Sequence, residues 1–164
     1  MTLKTESVRI GVDIRDLREG IMTGTARYLL NFLKIIPRYR PEWDFILFCN
    51  QDTSLGAINN NFKKVVIKER FTFWWDQVKL PLALRRERID LFFSLYKKAP
   101  IINPCKVMIT IHDLAPFFPS FPQAPINPIY TYLRKGLNNL MAKRAGLIIT
   151  VSNNSKKDII RLFN

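Results

Sequence analysis

Six short apolar runs punctuate the chain: VRIGVDI (8–14), FILFC (45–49), VVI (65–67), LFF (91–93), VMITI (107–111) and LIITV (147–151). Each run is continuous. A strand with one wet face alternates apolar and polar residues, so continuous runs of this length indicate strands covered on both faces, as in a parallel sheet. Parallel strands need long crossover connections, and several of the intervening stretches carry helical periodicity. In ARYLLNFLKII, Leu29, Leu33 and Ile36 fall on one stripe, and Pro37 is expected to end the element. In NPIYTYLRKGLNNLMAKRA the stripe is Ile129, Leu133, Leu137, Leu140 and Met141. Strand alternating with helix specifies an α/β fold, a doubly wound layer with a mainly parallel sheet.

The stretch FTFWWDQVKLPLALRRERID (71–90) is ambiguous. Pro81 would break a helix running through it, so the helix either kinks there or begins near Leu80. Trp74, Trp75 and the arginines Arg85, Arg86 and Arg88 suit a basic, interface-seeking amphipathic element. The reading preferred from the sequence is a pair of core tryptophans behind a solvated arginine face.

A chain of 164 residues fits one domain or half of a larger enzyme, and it is long enough to bury a core without staples. Cys49 and Cys105 lack metal-type spacing or any sign of a bridge, which suits a reducing compartment. No apolar stretch approaches the roughly 20 residues needed to span a bilayer, and the N-terminal stretch does not read as a signal peptide. A cytoplasmic protein is expected, or one peripheral on the inner face of a membrane. Twenty-six basic against 13 acidic residues leave a net charge of +13, which calls for an anionic partner: ligand phosphates, nucleic acid or an anionic membrane surface. The aromatics cluster in Pro-rich and Trp-rich stretches rather than among the lysines, which argues against a nucleic-acid stacking platform.

In open α/β sheets ligands bind beyond the carboxyl ends of the strands. Those ends carry Asp13, Ser94, the pair His112–Asp113, and Ser152. His112 is the only histidine, and it stands where the fold places an active site; the alternative is a histidine that stitches a loop to a backbone carbonyl. Neighbouring residues at a strand end point in opposite directions, so His112 and Asp113 do not read as a dyad. A second candidate is the loop REGIMTGTARYLLNFL, where Thr23, Gly24 and Thr25 lead into a helix. Free amides at a helix start suit a phosphate; Gly24 permits close approach, and Arg27 or Arg15 adds charge. The stretch has neither the G-x-G-x-x-G fingerprint nor a P-loop. One histidine and two scattered cysteines supply no usual metal-ligand set, and Ser152 reads best as the N-cap of the last helix. The loop FFPSFPQAP presents Phe117, Phe118 and Phe121 to a membrane, to an acceptor or to the core.

The ordered series IGVDIRDL, TGTARYLLNFL, WWDQVKLPLAL, IDLFFSLYKKAP, VMITIHDLAPFFP and AGLIITVSNNSKKDII resembles the N-terminal domain of the family-4 retaining glycosyltransferases, which have the GT-B fold. The likeness runs from about Ile10 to Phe163. It implies that residues 1–164 form one Rossmann-like domain, the acceptor-side half of a two-domain enzyme. The donor-binding C-terminal domain, with its paired-glutamate motif, would then lie outside this chain, and the chain alone would not catalyse transfer. The implied reaction moves a sugar, with retention, from a nucleotide-sugar donor to a hydroxyl acceptor: a polysaccharide, a lipid-linked glycan or a small molecule. No cofactor or metal is implied. His112 matches the family's strand-end histidine that reaches toward the sugar, while Gly24 and Arg27 match its G-x-G-R-Y loop near the donor phosphates. Ala26 stands where a second glycine is usual, and its methyl group is expected to limit backbone approach. Two rival readings remain open: a stand-alone, non-catalytic acceptor- or partner-binding module, and a basic nucleic-acid-binding α/β domain.

Overall fold

All six apolar runs become strands of one sheet in the computed structural model, which describes residues 7–54, 62–95, 99–112, 114, 136–137 and 139–163. They are β1 (Arg9–Asp13), β2 (Asp44–Cys49), β3 (Lys63–Val66), β4 (Leu91–Ser94), β5 (Lys106–Ile111) and β6 (Leu147–Thr150). Every pairing is parallel, and the order is β3-β2-β1-β4-β5-β6. The chain moves outward from β1 to β3, then returns to lay β4 against the free side of β1. The strand order therefore reverses between β1 and β4, the switch point at which such sheets leave a crevice.

Burial follows position in that order. The inner strands β1, β2, β4 and β5 are almost wholly buried, whereas the edge strands β3 and β6 are half exposed. One face packs Ile10, Val12, Phe45, Leu47 and Phe93 against Ala26, Leu29 and Leu33 of helix α1 (Gly24–Tyr39). The opposite face packs Ile46, Phe48, Phe92, Val107, Ile109 and Ile111 against the helical segment after β3 and against Ile159 of the last helix. Gly11 lies in the central strand where space is shortest: a Cβ there would stand 2.8 Å from the Phe48 ring.

The helices depart from the expected boundaries in two places. Helix α1 continues through Pro37 to Tyr39 instead of ending at it. Proline in the last turn removes only one amide from the helix ladder, and the Arg40 amide still donates to the Ile36 carbonyl at 2.9 Å. After β3 the chain forms α2 (Thr72–Trp74), a π-turn (Trp75–Lys79) and α3 (Leu80–Arg86) without interruption. Regular α-turns thus begin at Leu80, one of the two expected arrangements, and Pro81 occupies the first turn, where a missing amide costs least. Helix α4 is described over residues 136–137 and 139–144. Met141 of its expected stripe is buried, while Leu137 and Leu140 face outward; Ile129 and Leu133 lie outside the described residues. Helix α5 (Asn153–Phe163) opens under Ser152, whose Oγ accepts from the Ser155 amide at 3.0 Å, so the expected cap is present. Cys49 and Cys105 are free thiols. Among the described residues, no helix is long and apolar enough to cross a membrane.

Candidate functional site

The register of the sheet sets the candidate residues side by side at its carboxyl edge. Val12 pairs with Phe93, so Asp13 and Ser94, one residue further along, flank the switch point. Ser94 pairs with Ile109 and Ile111 with Thr150, which carries the row through His112 to Val151 and Ser152. Asp13 and Ser94 are both buried at this edge.

His112 follows directly after β5 and leans on helix α1. Its ring meets Tyr28 edge to face, with centroids 5.4 Å apart and planes at 85°. The His112 Nε2 atom is enclosed and has no hydrogen-bond partner among the described residues. Buried polar atoms are nearly always paired, so this imidazole nitrogen at a strand end is an unmet hydrogen-bonding site among the described residues. Asp113 and the loop with Phe117, Phe118 and Phe121 lie outside the described residues.

The start of α1 is built as a capped amide end. Thr23 Oγ1 accepts from the Ala26 amide at 3.0 Å and donates to Asp16 Oδ2 at 3.0 Å. The preceding loop turns at Gly20, whose φ of 72° suits glycine, with the Ile21 amide reaching the Arg18 carbonyl at 3.3 Å. Gly24 is exposed, and an added Cβ would meet nothing within 4 Å, so its backbone is open to approach. Thr25 is half-buried and Arg27 exposed beside it. No acidic residue occupies the first turn, and Asp16 reaches the positive end of the helix dipole through Thr23. Ala26 corrects one expectation: its side chain is wholly buried in the core behind the helix, so its methyl group does not stand over the amide end.

Arg15 corrects another. The sequence offers it as charge for a phosphate, but its guanidinium is committed inward. It binds Asp13 through both Nε and Nη2, the latter at 2.7 Å, and Asp76 at 2.7 Å; Glu69 stands 3.6 Å from Nη1. The guanidinium also stacks over Trp75, its carbon 3.5 Å from the ring centroid. Burial disfavours the charged arginine, yet the hydrogen bond and charge of Asp13, followed by those of Asp76, outweigh it and raise the group's hold on its proton. For Glu69, burial also opposes ionisation, but hydrogen bonds from Asn50 and Thr72 and the charge of Arg15 outweigh it and lower its proton affinity. This cluster pins the end of β1 to the π-turn.

Tyr28, Asp76 and Glu69 were not singled out from the sequence. Tyr28 had a usable signal, one residue beyond Arg27 in the helix-opening motif; the carboxylates that hold Arg15 had none. Among the described residues, no group of histidine, cysteine and carboxylate side chains is arranged to hold a metal ion. No known family model matches the chain, and no curated protein matches it significantly.

Proposed function

We propose that the chain is the acceptor-side half of a retaining glycosyltransferase of the GT-B type, which moves a sugar from a nucleotide-sugar donor to the hydroxyl of a glycan, a lipid-linked acceptor or a small molecule. The observation that carries the reading is the meeting of its two independent candidates: Tyr28, in the first turns of the helix opened by Thr23 and Gly24, packs on His112 at the end of β5. The resemblance assigns these same two stretches to the donor phosphates and to the sugar.

The chemistry asks little more of this half. When the sugar leaves its nucleotide, negative charge builds on the diphosphate, and open amides at the start of α1, with exposed Arg27 nearby, oppose it. The enclosed Nε2 of His112 gives one directed hydrogen bond to a sugar or acceptor hydroxyl, fixing its approach. Neither role requires a covalent intermediate on this chain.

Replacing His112 with Ala is expected to lower transfer by the full enzyme about a hundredfold or more while its thermal midpoint stays near that of the parent. Near-normal turnover would refute the assignment. Saturable binding of a nucleotide sugar supports the enzyme reading, whereas glycan or lipid binding without any nucleotide dependence favours a non-catalytic module.

A further inference from the structure

We propose that the segment from Phe71 to Leu82, together with the outer edge of β3, is a docking surface for an anionic lipid membrane. Four large apolar side chains face outward here: Phe71, Phe73, Trp74 and Leu82 are 74, 67, 53 and 65% exposed. Scattered exposed hydrophobics need no explanation, but three within four consecutive positions form a patch. Their outward direction is set by what holds the segment. Trp75 is wholly buried and donates its indole N–H to the Ile67 carbonyl at 3.0 Å, and Thr72 donates to Glu69 at 2.9 Å. With Trp75 fixed inward under Arg15, Trp74 and Phe73 are presented to solvent.

Charge identifies the occupant. Lys63, Lys64, Lys68, Lys79 and Arg86 line an open groove of about 650 Å³ between β3 and α3, adjoining the aromatic tip. The nearby carboxylates are already engaged: Glu87 pairs with Lys63 at 2.6 Å, and Asp76 and Glu69 face Arg15. The surface thus presents a large excess of positive charge beside an apolar tip containing a tryptophan, the combination that adsorbs to anionic headgroups and inserts shallowly. A nucleic acid fits less well, because no aromatic ring lines the groove to stack against bases. The aromatic tip lies beyond the carboxyl end of β3, at the same sheet edge as His112 and Gly24. The docking surface stands independently of the transferase reading; joined to it, the two select a lipid-linked acceptor.

The test is tryptophan quenching with the protein mixed with vesicles of phosphatidylcholine alone, or of equal parts phosphatidylcholine and phosphatidylglycerol, each carrying brominated acyl chains. Trp74 is the one exposed indole among Trp43, Trp74 and Trp75, so it is the natural reporter. Binding and quenching are expected on the anionic vesicles only. Trp74→Phe should abolish most of the quenching while binding persists. The double variant Phe71→Ser, Phe73→Ser should weaken partitioning about tenfold, and Lys68→Gln and Lys79→Gln about fivefold each, all without change in thermal midpoint. Absence of binding, quenching unaffected by Trp74→Phe, or partitioning indifferent to the phenylalanines overturns the proposal. So does equally tight, Trp74-dependent binding of a single-stranded oligonucleotide. The assay uses neither donor nor acceptor, so its failure leaves the transferase assignment to be judged on its own test.

Discussion

The ring of Tyr28 stands edge-on to His112 at 5.4 Å, so the first helix and the fifth strand meet at the one histidine of the chain. The contact is made by the ring. Aromatic pairs of this geometry contribute about 0.5–1.5 kcal/mol, enough to hold an imidazole in one orientation without forming part of the core. In the transferase proposed above, Tyr28 is thus a positioning residue. Tyr28→Phe should retain transfer, while Tyr28→Leu should lower it up to about tenfold with little loss of stability. A merely structural role would show as a lower denaturant midpoint with turnover per folded molecule unchanged; Tyr28→Leu should instead lower kcat at an unchanged midpoint, and Tyr28→Phe should restore it.

Arg15 bridges Asp13 and Asp76 under Trp75, and removing it leaves two buried carboxylates facing each other. Arg15→Met should cost about 3–5 kcal/mol, read from the denaturant midpoint. Arg15→Lys should recover only part of this, since an ammonium neither forks between two carboxylates nor stacks on an indole.

The same cluster sets an acid limit. Glu69 titrates below its ordinary value of 4.5 in the folded protein. The unfolded chain takes up its proton first as pH falls, so the stabilisation is complete above about pH 4.5 and is lost as pH drops through the folded value. Glu69→Gln should be less stable than the parent at neutral pH, and the difference should shrink below pH 4.5 when denaturant midpoints are compared across the acid range.

The inner strands were legible because a strand covered on both faces has few polar letters, and β1, β2, β4 and β5 are of that kind. VVI and LIITV read the same way yet form the half-exposed edges, since apolar letters record a strand and not its place in the sheet order. His112 was legible by position, at the end of a buried run. Its contact with Tyr28 was not, because it depends on how α1 crosses the sheet. Arg15 misled for a similar reason: a cation near a phosphate loop reads as free until Asp76, 61 residues away, is folded against it. The adjacent tryptophans divide between surface and core because neighbouring residues on a helix point in different directions, Trp74 at the end of α2 outward and Trp75 at the start of the π-turn inward, and composition carries no trace of that.

Of the described glycines, Gly11 leaves the least room for a side chain. A methyl group there would press on Phe48 at 2.8 Å, Ile89 at 3.2 Å and Leu84 at 3.3 Å. Gly11→Ala should destabilise by about 1–3 kcal/mol through overpacking. If the Phe48 ring is the main obstacle, adding Phe48→Leu to Gly11→Ala should cost less than the sum of the single changes, a coupling that a double-mutant cycle measures directly.

Arg88 carries the one correctable strain among the described residues. Its φ of 51° makes it the only non-glycine in the left-handed region there. It ends α3 in a Schellman turn: the Ile89 amide reaches the Leu84 carbonyl and the Arg88 amide the Arg85 carbonyl, each at 3.1 Å, with Ile89 and Leu84 both buried. A side chain at such a position costs about 1–2 kcal/mol, which glycine avoids at some loss in unfolded-state entropy. Arg88→Gly should therefore raise stability by about 0.5–1 kcal/mol. Arg88→Ala should not, because alanine keeps the Cβ that causes the strain. The turn precedes β4, at the sheet edge opposite His112, so on the proposed function the glycine variant should leave transfer unchanged; a stabilised variant with reduced transfer would show that this end of the sheet is coupled to the site.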